Sequence, residues 1–324
     1  MYLAPKVIQH FEARNKSKIL ARLQSPTVFI DGNKHGRLDA TDLCVLTCHT
    51  CSEEIFALAA HFSRMAGPDR GYEDVLRHTL TFANENPEES ALAHANSITL
   101  QNHDFDEKAS RYLSPILENP ESHLRDLSII RCNMTDRGVK RLCEAAAKNA
   151  SLKSLSLVEV GSGRDAAPAI NAILASGNLE AACVGERDGH NLEAMLSGAN
   201  LYSLSIPYIS AGQCQALSSA LARSSIRKLR LSGNAIGDAG LAALMEGLPN
   251  VCGVFLSHCS LTDASLDNVL TLLASRSRLF ELDLRGNHFS EEAQAMIQGA
   301  NTAFDLYIYD IDTELSMSTS EMLA

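Results

Sequence analysis

The sequence contains no tryptophan, few aromatic residues overall and fewer basic than acidic ones. Phe, Tyr and Trp together make up 5% of the 324 residues, and 28 Lys and Arg stand against 39 Asp and Glu, a formal net charge of -11. A chain this acidic, without a run of Lys and Arg, is not suited to nucleic acid or an anionic membrane surface as its main partner. We therefore expect no nucleic-acid partner.

Long apolar stretches are missing as well. No run approaches the roughly 20 residues that a transmembrane helix needs. The N-terminal stretch Met1–Lys6 also lacks the continuous apolar segment of a secretory signal. We expect no membrane insertion, no cleaved signal peptide and a location in the cytoplasm.

The common catalytic motifs are absent. The sequence has no Walker loop, no H-E-x-x-H and no G-x-S-x-G. Gly161 and Gly163 predict a short turn rather than a phosphate loop, because the spacing and the Lys of such a loop are missing. We expect neither enzyme activity nor a cofactor.

The nine cysteines are an odd number and are scattered along the chain, which predicts reduced thiols in a reducing compartment. Cys44, Cys48 and Cys51 lie close together and include a C-x-x-C. A zinc site there would need His49 or His61 as a fourth ligand, and there is no second C-x-x-C. We favour cysteines that pack between helices and keep zinc as the alternative.

Residues 226–248 contain the pattern around which the rest of the chain is organised. Leu229 and Leu231 alternate as in a strand, with both side chains on one face. Downstream, Leu241 and Leu244 begin an apolar series at helical spacing. One such unit cannot bury both apolar faces alone, so more units are expected.

The same apolar-x-apolar pair recurs every 22 to 29 residues (204 − 182 and 127 − 98). The first members of the pairs are Ile98, Leu127, Leu155, Ala182, Leu204, Leu229, Val254, Leu282 and Leu306. The shorter intervals predict trimmed helices. Helix starts are predicted at the capping residues Asp136, Thr262 and Ser290.

Residues 226–236 have the form L-x-x-L-x-L-x-x-N-x-L, and so resemble one unit of a leucine-rich repeat of the ribonuclease-inhibitor-like class. The resemblance covers residues 95–313. It implies an α/β solenoid in the form of a horseshoe, with a parallel concave sheet and a helical convex side. Function would then come from residues displayed on that surface.

The ninth position of the motif carries a side chain that bonds backbone groups where the chain leaves the strand. Asn is favoured there and Cys is tolerated. The nine repeats place there His103, Cys132, Val160, Arg187, Ile209, Asn234, Cys259, Asn287 and Ile311. Because four of these are apolar or Arg, we expect local irregularity in the middle of the array.

Residues 1–94 are predicted to form a helical cap with degenerate repeats, and residues 314–324 a flexible tail. Residues 31–42 resemble an EF-hand loop. However, Asp42 takes the place of the bidentate Glu, and residues 27–30 read as a strand where a helix should enter. The rival interpretation makes Val28 and Ile30 the apolar pair of a degenerate first repeat, and we expect no calcium there. A further strand is predicted at residues 80–82.

The concave face is the candidate binding site, formed by motif positions 2, 3, 5, 7 and 8. Although aromatics are scarce, several fall on this face together with Arg, Asp and His, a mixture typical of protein interfaces. The candidate residues are Arg131, Tyr202, Tyr208, Arg230, Phe255, His258, Asp283, Arg285, Tyr307 and Tyr309, and Phe280 lies beside them.

These features predict a monomeric module that binds a folded protein partner, host or bacterial, and that inhibits or redirects it. The Glu, Ser and Thr residues of the tail, 314–324, resemble the carboxyl-terminal signals of type IV secretion substrates, which implies a bacterial effector delivered into a host cytoplasm. Two alternatives are a GTPase-activating protein of the leucine-rich repeat type, whose acidic tail is missing here, and a calcium-responsive adaptor.

Overall fold

The structure is a computed structural model that describes residues 27–31, 95–101, 107–161, 165–186, 192–274, 279–300 and 305–308. The chain divides into two compact units, residues 1–173 and 174–324. Throughout the described ranges, strands alternate with helices or turns along the chain, as the repeat pattern predicts.

Among the described residues of the first unit are four parallel strands that pair in sequence order. They are β1 (Thr27–Asp31), β2 (Ser97–Gln101), β3 (Asp126–Ile130) and β4 (Ser154–Val158). The helices α1 (Glu107–Glu118) and α2 (Asp136–Lys148) follow β2 and β3. The pairing of Val28 with Ile98 continues the repeat register, so the strand predicted at 27–30 is confirmed.

The strand β1 counts against an EF-hand at residues 31–42, because an EF-hand needs a helix immediately before its loop. The remainder of that loop, residues 32–42, lies outside the described residues. So do the C-x-x-C at Cys48 and Cys51, the strand predicted at 80–82 and the tail.

The second unit begins within α3 (Ala167–Ala175), and its described part contains six parallel strands, again paired in sequence order. The strands are β5 (Ala181–Gly185), β6 (Ser203–Ser205), β7 (Lys228–Arg230), β8 (Gly253–Phe255), β9 (Glu281–Asp283) and β10 (Asp305–Tyr307). The helices are α4 (Leu192–Leu196), α5 (Cys214–Leu221), α6 (Gly237–Leu244), α7 (Leu266–Ala274) and α8 (Glu291–Ala300).

The apolar pairs of the repeats form the core of both units. The fourth-position residues from Ile98 to Leu282 are all 5% exposed or less, and only Leu306, in the last described strand, is half-buried. The sixth-position residues from Leu100 to Ile308 are buried too. Period-two alternation places both positions on one face of each strand, and burial of that face sets the register.

Helix length follows repeat length where the repeats differ most. The shortest interval, between Ala182 and Leu204, contains the five-residue α4, whereas the longest, between Ile98 and Leu127, contains the 12-residue α1. The predicted cap at Asp136 is wrong by one residue, since Thr135 accepts the Gly138 N–H at 3.1 Å. Both residue types cap helices well, and only the local backbone decides between them.

Asn at the ninth position ties neighbouring repeats together as expected. The Asn234 amide donates to Ile206 O and Leu231 O, both at 2.8 Å, and its oxygen accepts the Ile209 N–H at 3.0 Å. Two repeats later, the Asn287 amide donates in the same way to Leu256 O and Leu284 O.

The cysteines at this position do part of the same work, since Sγ of Cys132 lies 3.5 Å from Leu100 O and Sγ of Cys259 lies 3.2 Å from Leu231 O. Ile209 is one of the positions behind the irregularity predicted for the middle of the array, and beside it β5, β6 and β7 pair in one register. Asn234 of the next repeat donates to Ile206 O, a bond that the apolar Ile209 side chain cannot make.

Candidate functional site

The turn that follows each strand determines where the eighth-position side chains stand. Arg131, Glu159, Tyr208 and His258 all have a positive φ, between 50° and 65°. Gly233 and Gly286 have the same conformation at the same motif position. Non-glycine residues seldom adopt this backbone region. The sequence signal for this turn was the Gly that precedes Asn234 and Asn287, and it was overlooked.

The fifth-position side chains of the second unit form a lateral row across the sheet. Strand pairing places Ser205, Arg230, Phe255, Asp283 and Tyr307 opposite one another on successive strands. Adjacent parallel strands lie about 4.8 Å apart, so each of these residues has the next one as its lateral neighbour. We call the exposed side of β6 to β10, with this row at its centre, the strand face.

Two members of the row are buried, contrary to the prediction that all would be exposed. Phe255 is 8% exposed and Asp283 is 3% exposed. The guanidinium carbon of Arg230 lies 4.3 Å from the centre of the Phe255 ring, and Nζ of Lys228 lies 5.7 Å from it. Long cationic side chains from β7 therefore lie over the ring and remove it from solvent.

Asp283 is buried by its ion pair with Arg285. Nε and Nη2 of Arg285 donate to the two carboxylate oxygens at 2.9 and 2.7 Å, and the Arg285 N–H also donates to Asp283. The same guanidinium lies 5.5 Å from the Tyr307 ring centre. A buried carboxylate needs such a partner, so Asp283 orients Arg285 rather than offering itself to a ligand.

A second ion pair, which was not predicted, crosses three strands at the third motif position. Nζ of Lys228 on β7 lies 2.8 Å from Oε2 of Glu281 on β9, and Gly253 of β8 lies between them. A Cβ on Gly253 would stand 3.2 Å from the Lys228 stem. The missing side chain therefore leaves room for the bridge, which fixes both charged ends on the strand face.

Exposed aromatic side chains stand around these charged groups. Tyr202 is 56% exposed and Phe280 is 67% exposed, whereas Tyr208 and Tyr307 are about one-third exposed. Tyr202 and Phe280 occupy the second motif position, just before β6 and β9. His258 lies against Gly286, since a Cβ added there would meet its ring.

Eight of the ten predicted residues thus belong to the strand face: Tyr202, Tyr208, Arg230, Phe255, His258, Asp283, Arg285 and Tyr307. Arg131 belongs to the first unit, where its Nε lies 3.2 Å from the Glu159 carboxylate. Tyr309 lies outside the described residues.

The described part of the chain was compared with what a metal site, a reactive thiol or a membrane span requires. No three His, Cys, Asp or Glu side chains within it come together as a metal site would require. Burial raises the pKa of Cys143 and of Cys259 to about 12 and that of Cys214 to about 11, so none of these thiols ionises near neutral pH. No helix in the described ranges is long and apolar enough to cross a membrane.

Comparison with known proteins agrees with this architecture. A family model for the leucine-rich repeat matches residues 122–143, around β3, and residues 224–245, around β7. The chain is 29% identical to the ribonuclease inhibitor of Sus scrofa over 233 residues, which cover 69% of this chain and 47% of that protein. The ribonuclease inhibitor of Mus musculus is 27% identical over 235 residues, with the same coverage. The chain is a leucine-rich repeat protein.

This leucine-rich repeat protein is of the ribonuclease-inhibitor-like class, an α/β solenoid of parallel strands and helices. It spans about half the length of the two inhibitors. Among solved structures, a chain of the yeast Rad7 and Elc1 complex aligns with a TM-score of 0.37 and 14% identity, covering 75% of this chain and 69% of that one.

Proposed function

We propose that this leucine-rich repeat protein is a protein-binding module that holds a folded partner against its strand face. The observation that carries the proposal is the set of exposed tyrosines and Phe280 around arginines that are already ordered by Phe255 and Asp283. Tyr and Arg dominate the energetics of protein interfaces. Side chains held in place before binding lose less conformational entropy when a partner docks.

The relatives support the general role. The two ribonuclease inhibitors are named for inhibiting an enzyme, and this chain shares their class of repeat. We propose by analogy that binding inhibits or redirects the partner by covering part of its surface. The residues on the strand face would then determine which partner binds, since the fold itself only displays them.

The test is affinity capture from cell extract followed by binding measurements with the purified partner. We expect combined change of Tyr202, Tyr208, Arg230 and Tyr307 to Ala to abolish capture with little loss of stability. Truncation of a hot-spot residue costs about 2 kcal/mol or more, roughly thirtyfold in affinity. Phe255 is left unchanged because its burial would confuse loss of binding with loss of folding.

The matched control lies on the helical side. Glu246 and Gln298 are exposed and lie just after α6 and within α8, so Glu246→Ala and Gln298→Ala should leave capture unchanged. Gln294 is less suitable, since its amide donates to Phe289 O. If the helical-side changes released the partner and the strand-face changes did not, the proposed surface would be wrong.

Delivery into a host cell is a separate part of the proposal and is supported only by the composition of residues 314–324. A reporter fused ahead of the intact tail should reach host cytoplasm from a bacterium with a type IV secretion system. It should not do so once the tail's Glu and Ser residues are changed to Ala. Equal delivery of both fusions would remove the support for an effector role.

The GTPase-activating alternative stays a prediction. Purified protein should leave the hydrolysis rate of small GTPases unchanged if the chain acts only by binding. A rate increase that depended on a strand-face arginine would favour the alternative.

A further inference from the structure

The cations of the strand face differ in what they contact. Lys228 is paired with Glu281, Arg285 is paired with Asp283, and Arg227 donates to the backbone oxygen of Asn250 at 3.2 Å. The side chain of Arg230 lies over the Phe255 ring and makes no ion pair or hydrogen bond with any described residue. It is therefore the strand-face cation that still has a carboxylate-binding edge available within the described ranges.

The stacked position leaves the hydrogen-bonding capacity of Arg230 intact. Guanidinium N–H groups lie in the plane of the group, whereas the ring contact uses its flat face. Such a group can still donate two parallel hydrogen bonds to one carboxylate. The ring also limits the conformations of the side chain, so a ligand would meet an arginine that is already held in place.

The side of Arg230 away from Phe255 is lined by small residues. Its lateral neighbour on β6 is Ser205, and the other outward-facing residue of that strand is Ser203. Two exposed tyrosines, Tyr202 and Tyr208, stand before and after this strand. We call the small-residue stretch between them the β6 slot. Neither outward-facing residue of β6 is large, so no bulky side chain of that strand stands in the way of a short incoming side chain.

We infer that the partner inserts an acidic side chain, Asp or Glu, into the β6 slot and binds Arg230 through its carboxylate, with Tyr202 and Tyr208 packing on either side. The inference rests on the proposed function and deepens it by naming the chemistry recognised. Charge complementarity carries it. The chain as a whole has a net charge of -11, yet the strand face keeps a cation that none of the described acidic residues neutralises.

The experiment uses the full chain and a phage-displayed library of a small folded scaffold with randomised loops. Binders selected on the unaltered protein are first sorted by whether Tyr202→Ala with Tyr208→Ala weakens them. The sensitive binders dock on the strand face. We expect these to share an Asp or Glu at one loop position and to lose roughly ten- to hundredfold in affinity for Arg230→Met, the range for losing a charged hydrogen-bonding partner.

Arg227→Met is the matched control, because it removes the same charge three residues earlier, just before β7. It should weaken these binders less than threefold. Met keeps most of the apolar stem of Arg230 over Phe255, and thermal unfolding of each variant verifies that the fold is retained. Changing the shared acid of a binder to its amide should weaken binding to the unaltered protein but add little loss on Arg230→Met.

The possible results distinguish failure of the acidic-side-chain inference from failure of the proposed function. Tyrosine-sensitive binders that lack a shared acid, or that bind Arg230→Met as tightly as the unaltered protein, would overturn the inference and leave the proposed function standing. If no selected binder is sensitive to the tyrosines, the strand face is not a preferred docking surface and both proposals fail.

Discussion

Replacing Asn234 tests how the repeats are joined. This side chain is 5% exposed and bonds three backbone groups of two successive repeats. In Asn234→Ala, Leu231 O keeps contacts with the Asn234 N–H and with Sγ of Cys259. Ile206 O and the Ile209 N–H have no other partner among the described residues. The change therefore leaves two buried backbone groups unpaired.

Each buried unpaired group costs about 1 to 3 kcal/mol. We expect Asn234→Ala to lower the free energy of unfolding by about 2 to 6 kcal/mol, measured by urea denaturation. Hydrogen exchange of the Ile209 amide gives a local readout and should accelerate more than that of its neighbours. Solenoids can lose cooperativity between repeats, which makes the local measurement the decisive one.

The chain itself suggests an intermediate variant. Cys259 reaches the carbonyl of the preceding strand through Sγ, so Asn234→Cys should restore a contact to Ile206 O but not to the Ile209 N–H. About half of the loss should return. Ser232→Ala, which truncates an exposed side chain two residues away, should change stability by less than about 0.5 kcal/mol. A loss below about 1 kcal/mol for Asn234→Ala, with unaltered exchange at Ile209, would refute this account.

Three further changes probe other parts of the fold. Leu229→Ala truncates a fully buried core residue and should cost about 2 to 5 kcal/mol in denaturant unfolding, and a cost below about 1 kcal/mol would contradict the repeat register. Gly286→Ala should destabilise more than Gly233→Ala, because both glycines have a positive φ but only Gly286 lies under a side chain; adding His258→Ala should remove the difference. Burial opposes ionisation of Asp238, but three hydrogen bonds from Ser265 and Thr262 outweigh it and lower its pKa below the ordinary 3.8. The carboxylate thus stabilises the folded state above that value and loses its effect as the pH falls through the lowered pKa. Asp238→Asn should therefore be less stable than the unaltered protein at neutral pH, and this difference in stability should disappear in strong acid.

The periodic part of the architecture could be predicted from the sequence because it depends on local rules. Alternation at Leu229 and Leu231 places both side chains on one face, and only burial against neighbouring units can satisfy them. The same rule located β1 from Val28 and Ile30. The polar ninth position was likewise readable at Asn234, since few side chains can bond the backbone at that turn.

The exposure of the site residues was decided only by the tertiary structure. Phe255 and Asp283 occupy outward-facing positions, and strand periodicity alone makes them exposed. Phe255 is buried because Arg230, on a strand 25 residues earlier in the chain, lies over its ring. Asp283 is buried because the Arg285 guanidinium binds its carboxylate. The spacing of residues in a sequence determines on which face of a strand a side chain lies. Which neighbouring side chain covers it depends on lateral packing between strands that are distant along the chain.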